Sequence, residues 1–282
     1  MGIFSDCILV SDFDQTITDH KSNIPAANIE AIEHFIKEGG IFTLATGRSL
    51  PMSRHRFREV PMNAPLIVYN GAACVDLATD ELLFCHPLPR ETTELMQYYE
   101  KTYPQLRLEV HCLDCHYIFH SDKGRDEYLE RQKAKYAYVE WDEVPEPRIK
   151  FCLYSPRAEL FTITPDSETG RFLAALEQDI NDRGQGRLLA LNSIPGLVEV
   201  QAAGTSKGLA ARQLANRLGR SRLICVGDAI NDLSMLEEAD TAFVPRDCDL
   251  RIRDRGYREA APCAEGTIAD VIRQLDQMET GY

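Results

Sequence analysis

Short runs of consecutive apolar residues alternate with helix-period segments at both ends of this chain, and that grammar breaks in the middle. "CILV" precedes "PAANIEAIEHFIKEGG", where Ile29, Ile32, Phe35 and Ile36 recur at helical spacing and Gly39-Gly40 stops the run. "IFTLAT" is a second strand broken by Gly47, and "PLIVYNGA" a third ended by Asn70-Gly71. Strand–helix–strand units with wholly apolar strands predict a parallel sheet covered on both faces. The last third resumes the pattern: "KGLAARQLANRLG" as helix, "RLICVGD" as buried strand, "NDLSMLEEA" as helix, "TAFV" as strand and "GTIADVIRQLDQM" as a closing helix.

The middle reads differently. "RLEVHC", "HYIFH", "RIKFCLY" and "RLLALNS" carry more polar residues, and helices are predicted near 91–103, 122–135 and 166–182. Alternation with polar positions predicts an antiparallel sheet with one wet face. The expected fold is a doubly wound, Rossmann-like α/β core over 1–83 and 201–282, with an α+β domain inserted at 84–200.

Composition excludes several classes of function. A net charge of −13 argues against a nucleic-acid partner. No apolar run reaches the ~18 residues that span a bilayer, and the N-terminal apolar stretch has no basic flank, so no membrane partner or signal peptide is expected. Met-Gly opens the chain, but Asp6 stands where a myristoylation signal wants Ser or Thr. Nine cysteines, several in apolar runs, read as buried free thiols in a reducing cytoplasm.

Four islands carry chemistry: Asp12-Phe-Asp14-Gln-Thr16 after the first strand, Thr46-Gly47 after the second, Lys207 at a helix start, and "VGDAINDLSML" with Asp228, Asn231 and Asp232. Ligands of open parallel sheets bind at the carboxyl ends of the strands, where three of these islands lie. Clustered carboxylates raise one another's pKa unless a cation intervenes, and an oxygen-only set suits a hard ion such as Mg²⁺. A hydroxyl and an ammonium suit phosphate oxygens, so the combination reads as a phosphoryl-transfer layout with an aspartate able to act as nucleophile. Taken singly, each island also reads as ordinary turn or cap chemistry, or as a solvated lysine.

Together, D-x-D-x-T, a Ser/Thr, a Lys and G-D-x-x-N-D in this order resemble the motif set of the haloacid dehalogenase superfamily. "LATGR", "YNGA" and "GDAINDLSML" resemble its Cof-type branch, subfamily IIB, and the insertion between the second and third motifs resembles that branch's α+β cap. The resemblance implies a Mg²⁺-dependent phosphatase acting on a small phosphorylated metabolite. Asp12 would be the nucleophile and Asp14 the general acid and base. Thr46, Gly47 and Lys207 would hold phosphate. Asp12, the Asp14 carbonyl and Asp228 would bind the metal, with Thr16, Asn231 and Asp232 in support. A phosphomannomutase-type phosphotransferase and a non-catalytic binding protein are the alternatives on this fold.

Gln15 stands where the Cof-type branch most often carries Gly; its side chain is expected to narrow the crevice mouth rather than touch the chemistry. Candidate specificity residues are Arg48, Asn70 and Gly71 from the core and His111, Asp114, His116 and Asn192 from the insertion, the last four expected on solvated surface. "HCLDCH" contains Cys112 and Cys115 between two histidines. It reads as two strands joined through Leu113-Asp114 rather than a metal site, because four ligands in six positions can hardly surround one ion.

Overall fold

The computed structural model describes residues 2–156 and 163–280. The chain opens with β1 (Cys7–Ser11), α1 (Ala26–Lys37), β2 (Ile41–Leu44), α2 (Leu50–Phe57), β3 (Leu66–Val68), β4 (Ala73–Val75) and β5 (Leu82–Cys85). The insertion supplies α3 (Thr92–Thr102), β6 (Arg107–Cys112), β7 (His116–Ile118), α4 (Lys123–Arg131), β8 (Tyr136–Tyr138), β9 (Arg148–Tyr154), α5 (Glu168–Gly184), β10 (Leu188–Ile194) and β11 (Leu197–Ala202). The chain then returns through α6 (Lys207–Arg217), β12 (Arg222–Val226), α7 (Leu233–Glu238), β13 (Thr241–Pro245), α8 (Leu250–Arg253), β14 (Arg258–Ala260) and α9 (Thr267–Thr280).

These elements form two compact units. One takes the chain up to Gly47, Arg56–Phe84 and everything from Ser206 on; the other takes Arg48–His55 and Cys85–Thr205. Arg48 and the start of α2, read as core in the sequence, thus pack with the inserted unit.

In the first unit five strands run parallel in the order β14-β13-β12-β1-β2. The sheet winds one way from β1 to β2 and the other way from β12 to β14, so its switch point lies between β1 and β12. β1 is buried along its whole length, as strands covered on both faces must be. Ile8, Val10, Leu223 and Cys225 pack under Ala211, Leu214 and Ala215 of α6 and Met235 and Leu236 of α7. The expected third parallel strand is cut short. β3 touches the main sheet through a single bridge, Ala45 to Ile67, and then turns back antiparallel into β4. Three successive left-handed residues, Tyr69, Asn70 and Gly71, reverse it.

The second unit holds a six-stranded sheet, β10-β11-β9-β6-β7-β8, antiparallel except for the β7–β8 pair. Leu108, Val110, Phe151, Leu153 and Val200 pack one face against Met96 and Tyr99 of α3 and Leu173, Leu176 and Ile180 of α5. The opposite face was expected to be wet and is not: Arg107, Glu109, His111, His116 and Lys150 are all buried. Alternation sets which side chains share a face, and packed elements decide what covers it. Here α4 brings Arg125, whose Nε and Nη2 donate to Glu109 at 3.0 and 3.2 Å, while Ser49 Oγ meets His116 Nε2 at 2.6 Å. Arg107 pairs with both Glu109 and Asp126, and Lys150 with Glu199 at 2.6 Å. Burial alone would raise the Glu109 carboxyl, but Arg125 and the His111 hydrogen bond hold it well below the usual carboxylate range.

This packing also decides the "HCLDCH" stretch. His111 and His116 lie in the polar network, not on solvated surface, whereas Cys112 joins the apolar core and the Cys115 thiol meets the His116 carbonyl. Glu109, His111 and His116 bring donor atoms within 4.8 Å of one another. The two imidazoles, however, stack at 3.7 Å with planes 7° apart, so their in-plane lone pairs run parallel instead of converging. Two arginines already neutralise Glu109. Removing that carboxylate strands buried cations, so Glu109→Ala should cost about 3–5 kcal/mol of folding stability, read from the urea unfolding midpoint; a loss below about 1 kcal/mol would show the arginines finding water instead.

Candidate active site

Sheet register gathers three of the four islands. Ser11 lies beside Leu44 on β2 and Val226 on β12, and the Asp12 amide extends the ladder by donating to the Val226 carbonyl at 2.9 Å. The Ala45 amide likewise donates to the Ser11 carbonyl at 2.8 Å. The segments bearing Asp12 and Asp14, Thr46 and Gly47, and Asp228 therefore leave adjacent strand ends. The chain does turn immediately after Asp12: Gln15 is left-handed (φ 56°), its amide donates to Thr18 Oγ1, and the Thr18 amide returns to the Phe13 carbonyl.

The fourth island arrives from α6. Ser206 caps this helix, its Oγ accepting from the Leu209 amide, and Gly71 packs directly against the Ser206 carbonyl. A Cβ at Gly71 would lie 2.1 Å from that oxygen, and its φ of +99° favours glycine independently. Lys207 is thereby held inward, 1 % exposed, with Nζ donating to Asp12 Oδ1 at 2.5 Å and Asp232 Oδ1 at 2.6 Å. Asp232 Oδ2 accepts from the Asp228 and Ala229 amides, both at 3.0 Å, so this one carboxylate orders both the lysine and the Asp228 loop. Gly227 makes the turn possible, because a Cβ there would come 2.4 Å from the Asp232 Cβ. Thr16 Oγ1 donates to Asp228 Oδ1 at 2.7 Å, tying the first island to the fourth.

Four carboxylates, Asp12, Asp14, Asp228 and Asp232, act on this site against the ammonium of Lys207. Burial pushes the Asp12 carboxyl well above its usual range, with Lys207 pulling it back down and the other aspartates adding to the rise. Asp228 is pushed up to about 7 by burial and then by Asp232. The Lys207 ammonium is stabilised despite its burial, by Asp12 and Asp232. Oxygens of Asp12, Asp228 and Asp232 lie within 4.8 Å of one another, and this uncompensated oxygen-only set fits a hard divalent cation. Asp232 already spends both oxygens on Lys207 and the two amides, whereas Asp12 and Asp228 each commit one, to Lys207 and to Thr16.

Other candidates spread over both units. Thr46 is buried; its amide donates to the Ile67 carbonyl and its carbonyl accepts from the Asn70 amide, both at 3.0 Å. Gly47 faces Asn70 Oδ1, and Asn231 Nδ2 donates to that oxygen at 3.4 Å. In the second unit Arg48 Nη1 reaches Ser53 Oγ at 3.5 Å, and exposed Asp114 pairs with Lys135 at 3.6 Å. Asn192 is exposed on β10 with its amide on Glu177 Oε2 at 2.9 Å. Gly227 was legible in "VGD" only as a letter; its steric role needs the fold.

A buried lysine gripped by Asp12 and Asp232, with the Asp228 loop tied to Asp232 at the switch point of a parallel sheet, is an arrangement suited to phosphoryl transfer. The chain belongs to the haloacid dehalogenase-like hydrolases, whose family model matches residues 9–247, and it is a phosphatase of that type. Its mixed α/β fold is that of the solved haloacid dehalogenase-like proteins that carry a cap domain. It is 23% identical over 281 residues to YxeH of Bacillus subtilis (strain 168), covering 95% of this chain and 97% of that one. The HMP-PP phosphatase of Yersinia enterocolitica is 24% identical, with 83% and 81% covered. In fold, a haloacid dehalogenase-like hydrolase from Bacteroides thetaiotaomicron superposes with a TM-score of 0.79 at 20% identity, covering 95% of this chain and 98% of that one. The HAD subclass IIB sugar phosphatase BT4131 gives 0.75 at 18% identity over the same shares. Among the described residues no helix is long and apolar enough to cross a membrane.

Two outcomes follow from the electrostatics. Asp232→Asn should lower phosphatase kcat by about 10–100-fold, the usual cost of losing a supporting carboxylate, in a protein whose circular dichroism is unchanged; an unaltered kcat would remove Asp232 from the site's support. Because Asp228 rests near 7 when folded against an ordinary 3.8, the folded state holds its proton more tightly between those values, and stability falls as pH rises through that window. A divalent cation competes with that proton, so millimolar Mg²⁺ should raise Tm more at about pH 8 than at about pH 5. The reverse order would contradict cation binding at these carboxylates.

Proposed function

We propose that the protein hydrolyses a small phosphate monoester with Mg²⁺ through an aspartyl-phosphate on Asp12, in the cytoplasm. The observation that carries this reading is the buried Lys207 bridging Asp12 and Asp232, with Asp228 braced beside them. Asp12 attacks phosphorus as its carboxylate, held by the Lys207 ammonium. The ester P–O bond breaks, and Asp14 gives its proton to the departing alkoxide. Asp14 then takes a proton from water, whose oxygen attacks phosphorus; the acyl phosphate P–O bond breaks, releasing inorganic phosphate and restoring Asp12. Thr46, Gly47 and Lys207 hold the phosphoryl oxygens through transfer. The Asp12 and Asp228 carboxylates and the Asp14 carbonyl would hold Mg²⁺, which supplies positive charge against the phosphoryl oxygens.

Relatives named as an HMP-PP phosphatase and a sugar phosphatase support a small phosphorylated metabolite as substrate. The candidate readers of its leaving group are Asn70 and Gly71 and, on the second unit, Arg48, Asp114 and Asn192, whereas His111 and His116 are buried in the polar network.

A phosphoester panel run with Mg²⁺ and with chelator tests this. Activity should appear with Mg²⁺, vanish with chelator, and be abolished in a folded Asp12→Asn protein. Acid quenching during turnover should trap phosphate on Asp12 of the wild type. Substantial turnover by Asp12→Asn would overturn the mechanism, and hexose-1,6-bisphosphate-dependent isomerisation in place of hydrolysis would make the protein a mutase.

A further inference from the structure

Beside the first motif, three side chains of different chemistry meet: His20 from the loop after β1, Asp247 from the loop after β13, and Cys263 from the turn before α9. None enters the phosphatase reading. Asp247 is the hub. Its Oδ1 accepts from the Cys263 amide at 3.1 Å, which turns Oδ2 toward both the Cys263 sulfur at 3.3 Å and His20 Nε2 at 3.2 Å. All three donor atoms lie within 4.8 Å of one another.

The orientation of His20 is set from outside the trio. Its Nδ1 lies 2.9 Å from Gln15 Oε1, an atom that can only accept, so Nδ1 carries the hydrogen. In the neutral ring Nε2 then points its lone pair at the Asp247 oxygen. Two lone pairs facing at 3.2 Å repel unless a proton or a metal cation lies between them. A hydrogen-bond acceptor on the far nitrogen of an imidazole is the usual outer support of a metal-ligating histidine, and the Gln15 oxygen can fill that role. The backbone is prepared for it as well. Gln15 holds a left-handed φ of 56°, a conformation that costs a non-glycine residue about 1 kcal/mol or more, and its side chain is what reaches His20. His20 sits in a turn wired by Asp19 Oδ1, which accepts from the Lys21 and Asn23 amides, both at 2.8 Å.

We propose that His20 Nε2, the Asp247 carboxylate and the Cys263 thiolate bind one Zn²⁺-class cation, with water as fourth ligand. Tetrahedral zinc with ordinary bond lengths places N and O donors about 3.3 Å apart and S and O donors about 3.5 Å apart. The N to O and S to O separations of 3.2 and 3.3 Å lie within about 0.2 Å of those values. The donor set, one nitrogen, one oxygen and one sulfur, selects a borderline ion over Mg²⁺, in contrast to the all-oxygen phosphatase site. Cys263 forms the floor, fully buried, while the His20 side chain is 58% exposed, leaving room for water on the outer side. Binding exchanges the Cys263 S–H for an S–metal bond and releases that proton, so affinity rises with pH. Burial and then Asp247 push this thiol up to about 12, so the metal must itself displace the proton.

The ion would brace catalytic loops. Gln15 lies between Asp14 and Thr16, and two residues beyond Asp247 the Asp249 amide donates to the Asp228 carbonyl at 2.9 Å. Cobalt(II) reports the site directly, because only a thiolate gives a sulfur-to-metal charge-transfer band and the phosphatase carboxylates contain no sulfur. The full-length protein in excess Mg²⁺ should develop that band with one equivalent of Co²⁺, and Zn²⁺ should bleach it. Cys263→Ser should abolish the band while keeping Mg²⁺-dependent turnover. Gln15→Leu should weaken Co²⁺ by about 10–100-fold, as loss of an outer hydrogen bond to a ligating histidine does, and His20→Ala by more. The surface substitution His20→Ala keeps the test valid should Cys263→Ser fail to fold. No band in the wild type, or a band that survives His20→Ala at unchanged affinity, overturns the proposal.

Discussion

A lysine ammonium with 1 % exposure, gripped by two carboxylates, organises the first unit. Taking an ammonium and its partners out of water is costly, and the attraction between them repays it only with close, well-aligned contacts. Those contacts require three remote chain segments to arrive in register. Asp12 must leave β1 beside β12, α6 must begin against Gly71, and the Asp228–Asp232 turn must fold tightly enough to spend both Asp232 oxygens. The last two requirements have a visible steric signature: the Ser206 carbonyl pressed on Gly71 and the Asp232 side chain pressed on Gly227. The lysine offsets only part of the negative charge that Asp12, Asp14, Asp228 and Asp232 bring to the site.

The inserted unit handles buried charge in another way. Its sheet divides into an apolar face under α3 and α5 and a face of arginine, glutamate, histidine and lysine that is equally dry. Glu109 balances Arg125 and Arg107, and further pairs to Asp126 and Glu199 leave the face close to neutral. That balance is self-contained, whereas the cluster around Lys207 carries more carboxylates than cations. A balanced network specifies a conformation; an unbalanced one recruits a ligand. The stacked His111–His116 pair, both imidazoles pushed below their usual range by burial, belongs to the first kind.

How far the sequence could be read depended on whether a signal was local. β1, α1, β2, α6 and β12 were legible because apolar runs and the 3.6 period are properties of neighbouring residues. β8 and β14, three residues each, were not, since short edge strands owe their conformation to a partner strand. "PLIVYNGA" read as one strand because nothing in its letters shows the left-handed Tyr69, which only the surrounding contacts can hold. The wet face predicted for the inserted sheet failed likewise, because alternation assigns side chains to faces but says nothing of what packs on them.

The letters alone determined the alternating α/β architecture and the family, because patterns of polarity and ordered motifs survive in one dimension. Tertiary structure decided which oxygens remain uncommitted, that Asp232 serves Lys207 and two amides at once, and that Gln15, His20, Asp247 and Cys263 are neighbours. Charge compensation and ligand geometry act through space over a few ångströms. Residues far apart in the chain acquire that proximity only when the sheet register and the loops leaving it are set.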